Sequence, residues 1–237
     1  MEKIETKEEL LALDPRQFQY TILTQEEILR WFGLCNAVWI HNNDPSFPHA
    51  ELSGGLCSNG FLESQGVLEN PNLSEILAHQ LIMKLRKVGV KRPDWIISSS
   101  YAAITFGYEV ARQMGATFGF TTKDCSDPKE KRMLWKRRTI PKESVVLQIE
   151  ELGTTSSTFR EVRRAVEEGN SEPVSFLPTV GMLIHRPPKL PVDYGEYKVV
   201  ALVEKEIWAV DPAKCSLCEA GSKRYRPKTH WKELTGK

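Results

Sequence analysis

Two hydroxyl-rich turns, each set between a β-branched run and a helical pattern, constrain this chain more than any other feature. "IISSSYAAIT" follows the short apolar run that begins at Trp95, and "EELGTTSST" follows "VVLQI" from Val145. The β-branched content of both runs predicts buried strands. After each turn, apolar residues recur at helical spacing, and the patterns close at Gly115 and Gly169. "ATFGFTTK", "PVSFLPTVGMLIH" and "YKVVALVEKEI" supply further strands. The order strand, helix, strand, strand, helix, strand predicts an α/β fold with a doubly wound, mostly parallel sheet. Ligands of such sheets sit at the carboxyl ends of the strands.

Other segments frame that core. Apolar spacing predicts helices over 7–13 and 25–32, and a longer amphipathic helix in "PNLSEILAHQLIMKLRKVG" with Leu73, Ile76, Leu77, Leu81, Leu85 and Val88 on one face. "FLESQGVLE" reads as one or two short strands. The charged stretch from Asp124 to Ser144 has no clean period, and a long polar insertion of this kind is usually functional.

Charge excludes some function classes. The 237 residues carry 32 Lys and Arg against 31 Asp and Glu, a formal net charge of +1, so no global field points to a nucleic-acid or membrane partner. Any anion must be caught locally. No run approaches the length of a membrane span, and "MEKIETKEELLALD" lacks the basic start and apolar core of a secretory signal, so a cytoplasmic protein is expected. Five scattered cysteines, an odd number, argue for reduced thiols rather than a disulfide framework.

The chemistry of the two turns is that of phosphate binding. Small residues let a backbone approach a phosphate, and a helix start supplies free N–H donors and a positive dipole end. Glu150 and Glu151, immediately before the second turn, would repel a bare phosphate. They suit hydroxyl groups or a hydrated magnesium ion beside it. A sugar phosphate with free ribose hydroxyls satisfies both halves; an ordinary Ser/Thr helix cap with solvated glutamates is the alternative.

At this point the residues carry a resemblance. "VVLQIEELGTTSST" resembles the phosphoribosyl-diphosphate (PRPP) signature of type I phosphoribosyltransferases. "HAELSGGLCSNGF", "WIISSSYAAITFGYEVARQMG", "FTTK" with "MLWKRRTIPKESVVLQIEE", "VGMLIHRPP" and "CSLCEAGSKRYRPKTHW" narrow it to the orotate phosphoribosyltransferases, in particular a bacterial subgroup with a C-terminal Cys-x-x-Cys. The likeness runs in order from about residue 49 to 231. It implies three parts: N-terminal helices and a hood segment over 1–70, a phosphoribosyltransferase core over 71–210, and a tail over 211–237 packing with the hood.

The resemblance also implies roles. Glu150 and Glu151 would hold the ribose hydroxyls and support a ribosyl cation-like transition state, with Mg2+ bridging PRPP oxygens. Thr154, Thr155, Ser156, Ser157 and Thr158 match the 5-phosphate cradle. Ser98, Ser99, Ser100, Tyr101, Ala102 and Ala103 stand where the family's pyrophosphate loop reads Gly-Pro-Ala-x-Gly-Gly, so three glycines are replaced. Arg186 matches the arginine that clamps the orotate carboxylate, and His185 replaces the acidic residue before it. Ser53, Gly54, Gly55 and Ser58 match the base-covering segment, with Cys57 in place of a histidine. Lys123, Lys129, Lys131, Arg132, Lys136, Arg137 and Arg138 fall in a mobile basic loop; Lys123, Arg137 and Arg138 match its positions best, with Lys123 and Arg137 as catalytic cations.

The implied activity is phosphoribosyl transfer from PRPP to orotate in pyrimidine nucleotide biosynthesis, by a homodimer. A catalytically silent nucleotide sensor of the same fold and a transferase for another base remain as alternatives. Cys215 and Cys218 offer half of a zinc site, with His230 and Cys57 as the only further candidates; His41, His49 and His79 show no ligand spacing.

Overall fold

The computed structural model describes residues 4–52, 54–126, 132–136 and 138–236. Two helices, α1 (Lys7–Leu11) and α2 (Gln25–Leu34), open the chain, each started by a capping box, from Thr6 to Glu9 and from Thr24 to Glu27. Four short strands follow: β1 (Val38–Ile40), β2 (His49–Glu51), β3 (Cys57–Ser58) and β4 (Gly60–Leu62). The chain then enters α3 (Gln65–Leu68) and the long α4 (Pro71–Lys87). The core alternates β5 (Trp95–Ser98), α5 (Ala102–Met114), β6 (Thr117–Phe120), the small hairpin β7 (Thr122–Lys123) and β8 (Met133–Leu134), β9 (Val145–Gly153), α6 (Ser157–Gly169), β10 (Ser175–His185) and β11 (Lys198–Glu204). The tail holds β12 (Ala209–Val210), α7 (Ser216–Glu219), β13 (Arg224–Tyr225) and α8 (Trp231–Thr235).

The central sheet has five strands in the order β11-β10-β9-β5-β6, and every pairing is parallel. Strand alternation distributes its side chains over two layers. Ile96, Leu147 and Ile149 join the main core beneath α4 and α5, whereas their neighbours Ile97 and Val146 pack against Val162 and Val166 of α6. Helices therefore cover both faces, as expected of a doubly wound sheet. The main core also takes in Leu10, Phe18, Ile28 and Phe32, so the N-terminal helices share it.

α4 buries Leu73, Ile76, Leu77, Leu81 and Leu85 and ends in Lys84, Arg86 and Lys87, cations that favour a helix C-terminus. Val88, expected inward, is exposed because the helix has already stopped and Gly89 turns the chain at φ +91°. The run "FLESQGVLE" is one short strand followed by α3, whose single turn places Val67 and Leu68 in the core. A second sheet of four strands, in the order β12-β3-β2-β13, joins the segment around residues 49–58 to the tail. Among the described residues no helix is long and apolar enough to cross a membrane.

Candidate functional site

The carboxyl ends of β5 and β9 and the start of α6 enclose a cavity of about 1260 Å³. Ser99 and Ser100 of the first hydroxyl turn, Glu151 and Leu152 of β9, and Ser157 and Thr158 of α6 line it together with Lys123, Arg132 and Arg164. The two turns that stood apart in sequence thus meet in one place. Ser156 makes no side-chain cap on α6, which leaves the first turn of that helix to offer its amides elsewhere. Thr154, Thr155 and Ser156 form the turn into α6, and Thr155 Oγ1 lies 3.0 Å from Ser157 Oγ.

The carboxylate pair divides its labour. Glu151 faces the cavity, whereas Glu150 is 1% exposed and sits at the centre of a buried network. Ser99 Oγ donates to Glu150 Oε2 at 2.5 Å, and Gln148 Nε2 donates to Glu150 Oε1 at 2.7 Å. Arg163 in turn donates from Nε to Gln148 Oε1 at 3.1 Å and from Nη2 to the Leu177 carbonyl at 2.8 Å. Burial pushes Glu150 up to about 8 despite the Ser99 hydrogen bond, and the charge of Glu151 pushes the same way. Burial also raises Glu151. In this arrangement Glu150 is bonded to Ser99 of the serine turn, and of the two carboxylates Glu151 lines the cavity.

Of the segment expected to form the pyrophosphate loop, Ser99 and Ser100 line the cavity. Ala102 and Ala103 belong to the first turn of α5, and Ala103 is fully buried. The turn proper ends at Tyr101, which takes φ +69° without being glycine. Lys123 Nζ stands 5.2 Å from the centre of the Tyr101 ring. Ser98 tucks against Gly107, where a β-carbon would come within 2.0 Å of Ser98 Oγ. Ser98 Oγ and Ser100 Oγ are buried hydroxyls without a partner among the described residues.

Arg186 begins the segment after β10, next to Gly153, whose carbonyl accepts its backbone N–H at 2.7 Å. Its Nε is buried with no partner among the described residues, and burial pushes the guanidinium below its ordinary value. His185 is used structurally, with Nε2 2.8 Å from Tyr194 Oη and Nδ1 3.0 Å from Glu204 Oε1.

The base-covering assignments fare differently. Gly54 and Gly55 occupy the turn between β2 and β3, with Gly55 at φ +80°. Ser58 is wholly buried, and its hydroxyl lies 2.7 Å from the Trp208 carbonyl and 2.9 Å from the Gly60 carbonyl. That hydroxyl is committed to backbone. Cys57 is likewise buried away from the cavity, beside Cys215 and Cys218. Ser53, Lys129, Lys131 and Arg137 lie outside the described residues. Lys136 and Arg138 are exposed.

Residues that sequence reasoning did not single out complete the cavity wall. Glu161 and Glu168 bracket Arg164 at helical spacing, and Arg132 reaches Glu168 at 3.4 Å. The i, i+3 and i+4 spacing in "EVRRAVEE" was a readable signal of this pairing. Three cations (Lys123, Arg132, Arg164) therefore face four carboxylates (Asp124, Glu151, Glu161, Glu168) around the cavity. A multiply charged phosphate entering such a lining calls for an added cation. The oxygen donors Asp124 and Glu151 fit hydrated Mg2+, which keeps several waters and binds through one or two carboxylates plus phosphate oxygens.

No family model matches the sequence. An orotate phosphoribosyltransferase of Wolinella succinogenes is 31% identical over 189 residues, spanning 76% of this chain and 88% of the relative. That of Heliobacterium modesticaldum is 30% identical over 182 residues, with the same shares. Among solved structures, the orotate phosphoribosyltransferase of Aeropyrum pernix superposes with a TM-score of 0.52 at 13% identity, over 75% of this chain and 93% of that one. An adenine phosphoribosyltransferase gives a TM-score of 0.50 at 19% identity, over 72% and 98%. The structural likenesses establish the type I phosphoribosyltransferase fold, and the sequence relatives carry the assignment further: the chain belongs to the orotate phosphoribosyltransferase family of glycosyltransferase enzymes.

Proposed function

We propose that the protein transfers the 5-phosphoribosyl group of PRPP to orotate, giving orotidine 5′-phosphate and pyrophosphate. The observation that carries this reading is the convergence of Ser99, Ser100, Glu151, Ser157 and Thr158 on one cavity at the carboxyl end of the sheet. Each group suits one part of PRPP. The start of α6, with Ser157 and Thr158, suits the 5-phosphate; Glu151 suits the ribose hydroxyls; the Ser99–Ser100 turn and Lys123 suit the pyrophosphate. Bound Mg2+ would neutralise the leaving group. In the transfer the C1′–O bond to pyrophosphate breaks with its electron pair, and N1 of orotate forms the new bond to C1′ as its proton is released to solvent or to the departing pyrophosphate. Glu151 stabilises positive charge developing on the ribosyl ring, and Lys123 receives negative charge on the departing oxygens.

Arg186 supports orotate as the base: it is half-buried, its Nε has no partner among the described residues, and a guanidinium is matched by a carboxylate that accepts two parallel hydrogen bonds. The basic segment after Lys123 is read as a cover closing over the neighbouring subunit of a homodimer, in the cytoplasm. The test is the loss of orotate absorbance on adding PRPP and Mg2+. Glu151→Gln is expected to lower kcat at least about 100-fold, the scale of one lost electrostatic contact to a transition state, with the fold retained by circular dichroism. Full activity in that variant removes Glu151 from the site. PRPP binding without orotate turnover, in the unmodified protein, shows instead a sensor or a transferase for another base.

A further inference from the structure

Outside the cavity lining, the second sheet and the tail bring together three thiols and an imidazole. His49 on β2, Cys57 on β3, and Cys215 and Cys218 around α7 place their donor atoms within 4.8 Å of one another. His49 and Cys57 are fully buried and Cys215 nearly so. His49, which shows no ligand spacing in the sequence, joins this cluster, and His230 does not. The Sγ–Sγ distance from Cys57 to Cys218 is 3.5 Å, and His49 Nε2 lies 3.6 Å from Cys215 Sγ and 3.4 Å from Cys218 Sγ. A tetrahedral ion with ordinary Zn–S and Zn–N bonds would set the corresponding edges at about 3.8 Å and about 3.6 Å. The cluster is therefore close to the size of a zinc tetrahedron, and its cysteines are free thiols.

The histidine is oriented for such a role. Ser222 Oγ donates its proton to the Phe47 carbonyl at 2.7 Å, because a carbonyl can only accept. The same oxygen, 2.8 Å from His49 Nδ1, is left to accept the Nδ1 proton. Nε2 then presents its lone pair to the cysteines, in the pattern by which outer hydrogen bonds fix metal-bound histidines. Arg224 pairs with His49 in the β13–β2 ladder, and its positive charge there offsets the net negative charge of three thiolates and one imidazole around a divalent ion.

We propose that His49, Cys57, Cys215 and Cys218 bind a structural Zn2+ ion that pins the tail to the β2–β3 hairpin. Binding displaces the three thiol protons to solvent and completes four protein ligands, which leaves no open position for chemistry. Three sulfurs and a nitrogen select zinc over magnesium or calcium. The site stands independently of the transferase reading, since none of its residues lines the cavity.

The experiment is elemental analysis of the full chain purified without chelator, followed by cobalt exchange. One equivalent of zinc per chain is expected, with the intense visible absorption of thiolate-bound tetrahedral cobalt after exchange. Cys215→Ser with Cys218→Ser should lose that zinc, and Ser222→Ala, which keeps all four donors, should weaken it roughly 10- to 100-fold. Should the double variant fail to fold, releasing zinc from the unmodified protein with a chelator must still expose three additional reactive thiols. A reduced, folded protein that holds no zinc, takes up none when it is supplied, or holds zinc unchanged in the double variant overturns the proposal. So does a Cys57–Cys218 disulfide that persists with zinc present.

Discussion

Replacing Glu150 by Gln isolates the titration of one buried carboxyl. In the unfolded chain it ionises near 4.5, and in the folded protein burial moves it to about 8. The folded state therefore holds a proton that the unfolded state releases. Stability from this group is fully present below about pH 4.5 and is lost progressively as pH rises toward 8. Between pH 5 and pH 7 the linkage relation gives a loss of about 2.5 kcal/mol. A folded-state value one unit lower would change this only to about 2 kcal/mol, because the unfolded carboxyl does nearly all the titrating in that window. Gln keeps the shape and still accepts from Gln148 Nε2, but it cannot ionise. Urea titrations of both proteins at pH 5, 6 and 7 should show the unmodified protein losing about 2.5 kcal/mol relative to Glu150→Gln. Groups common to both chains cancel in the difference, including the histidines that titrate in the same range. A flat difference, or one of opposite slope, would refute the buried, protonated Glu150 and the network built around it.

Arg163→Met leaves Gln148 and two backbone carbonyls without their donor and removes cation–ring contacts at 4.6 Å to Tyr197 and 4.8 Å to Phe176; chemical denaturation should show a loss of about 2–4 kcal/mol. Gly119→Ala would drive a β-carbon to 2.5 Å from the Trp135 ring, costing about 1–3 kcal/mol and shifting Trp135 fluorescence as that side chain leaves its seat. Tyr101→Gly removes a positive-φ strain of about 1 kcal/mol and the contact with Lys123, so it should leave Tm unchanged or higher while altering PRPP affinity measured by calorimetry.

The sheet and its helices were legible because they are written in local periodicity. "VVLQI" and "DWIIS" are short, β-branched and flanked by turn residues, and the helix after each is closed by glycine or asparagine, so strand and helix could be placed from composition alone. Glycine at 115 takes the left-handed turn, φ +66°, that ends α5. The short elements were harder. α3 is four residues long, below the length at which a helical period differs from a strand's, and only the burial of Val67 and Leu68 in the main core decides it.

The site divides along the same line. Two neighbouring turns that both follow parallel strands must both emerge at one edge of the sheet, so the meeting of Ser99, Ser100, Ser157 and Thr158 follows from topology. The separation of Glu150 from Glu151 follows from strand alternation as well: Val146, Gln148 and Glu150 share a face, and the α6 residue opposite Gln148 is Arg163. What periodicity cannot carry is a contact between elements that belong to no common repeat. His49 meets Cys215 across 166 residues and Ser222 across 173, and nothing in the spacing of histidines marks one of five for that position. The resemblance pointed to Cys57 for its place in a base-covering segment, yet β3 points that side chain inward, toward the tail. A residue's match to a family motif fixes where its backbone runs; the direction of its side chain depends on which neighbour offers the better partner, and here Cys57 sits among two thiols and an imidazole and does not line the cavity.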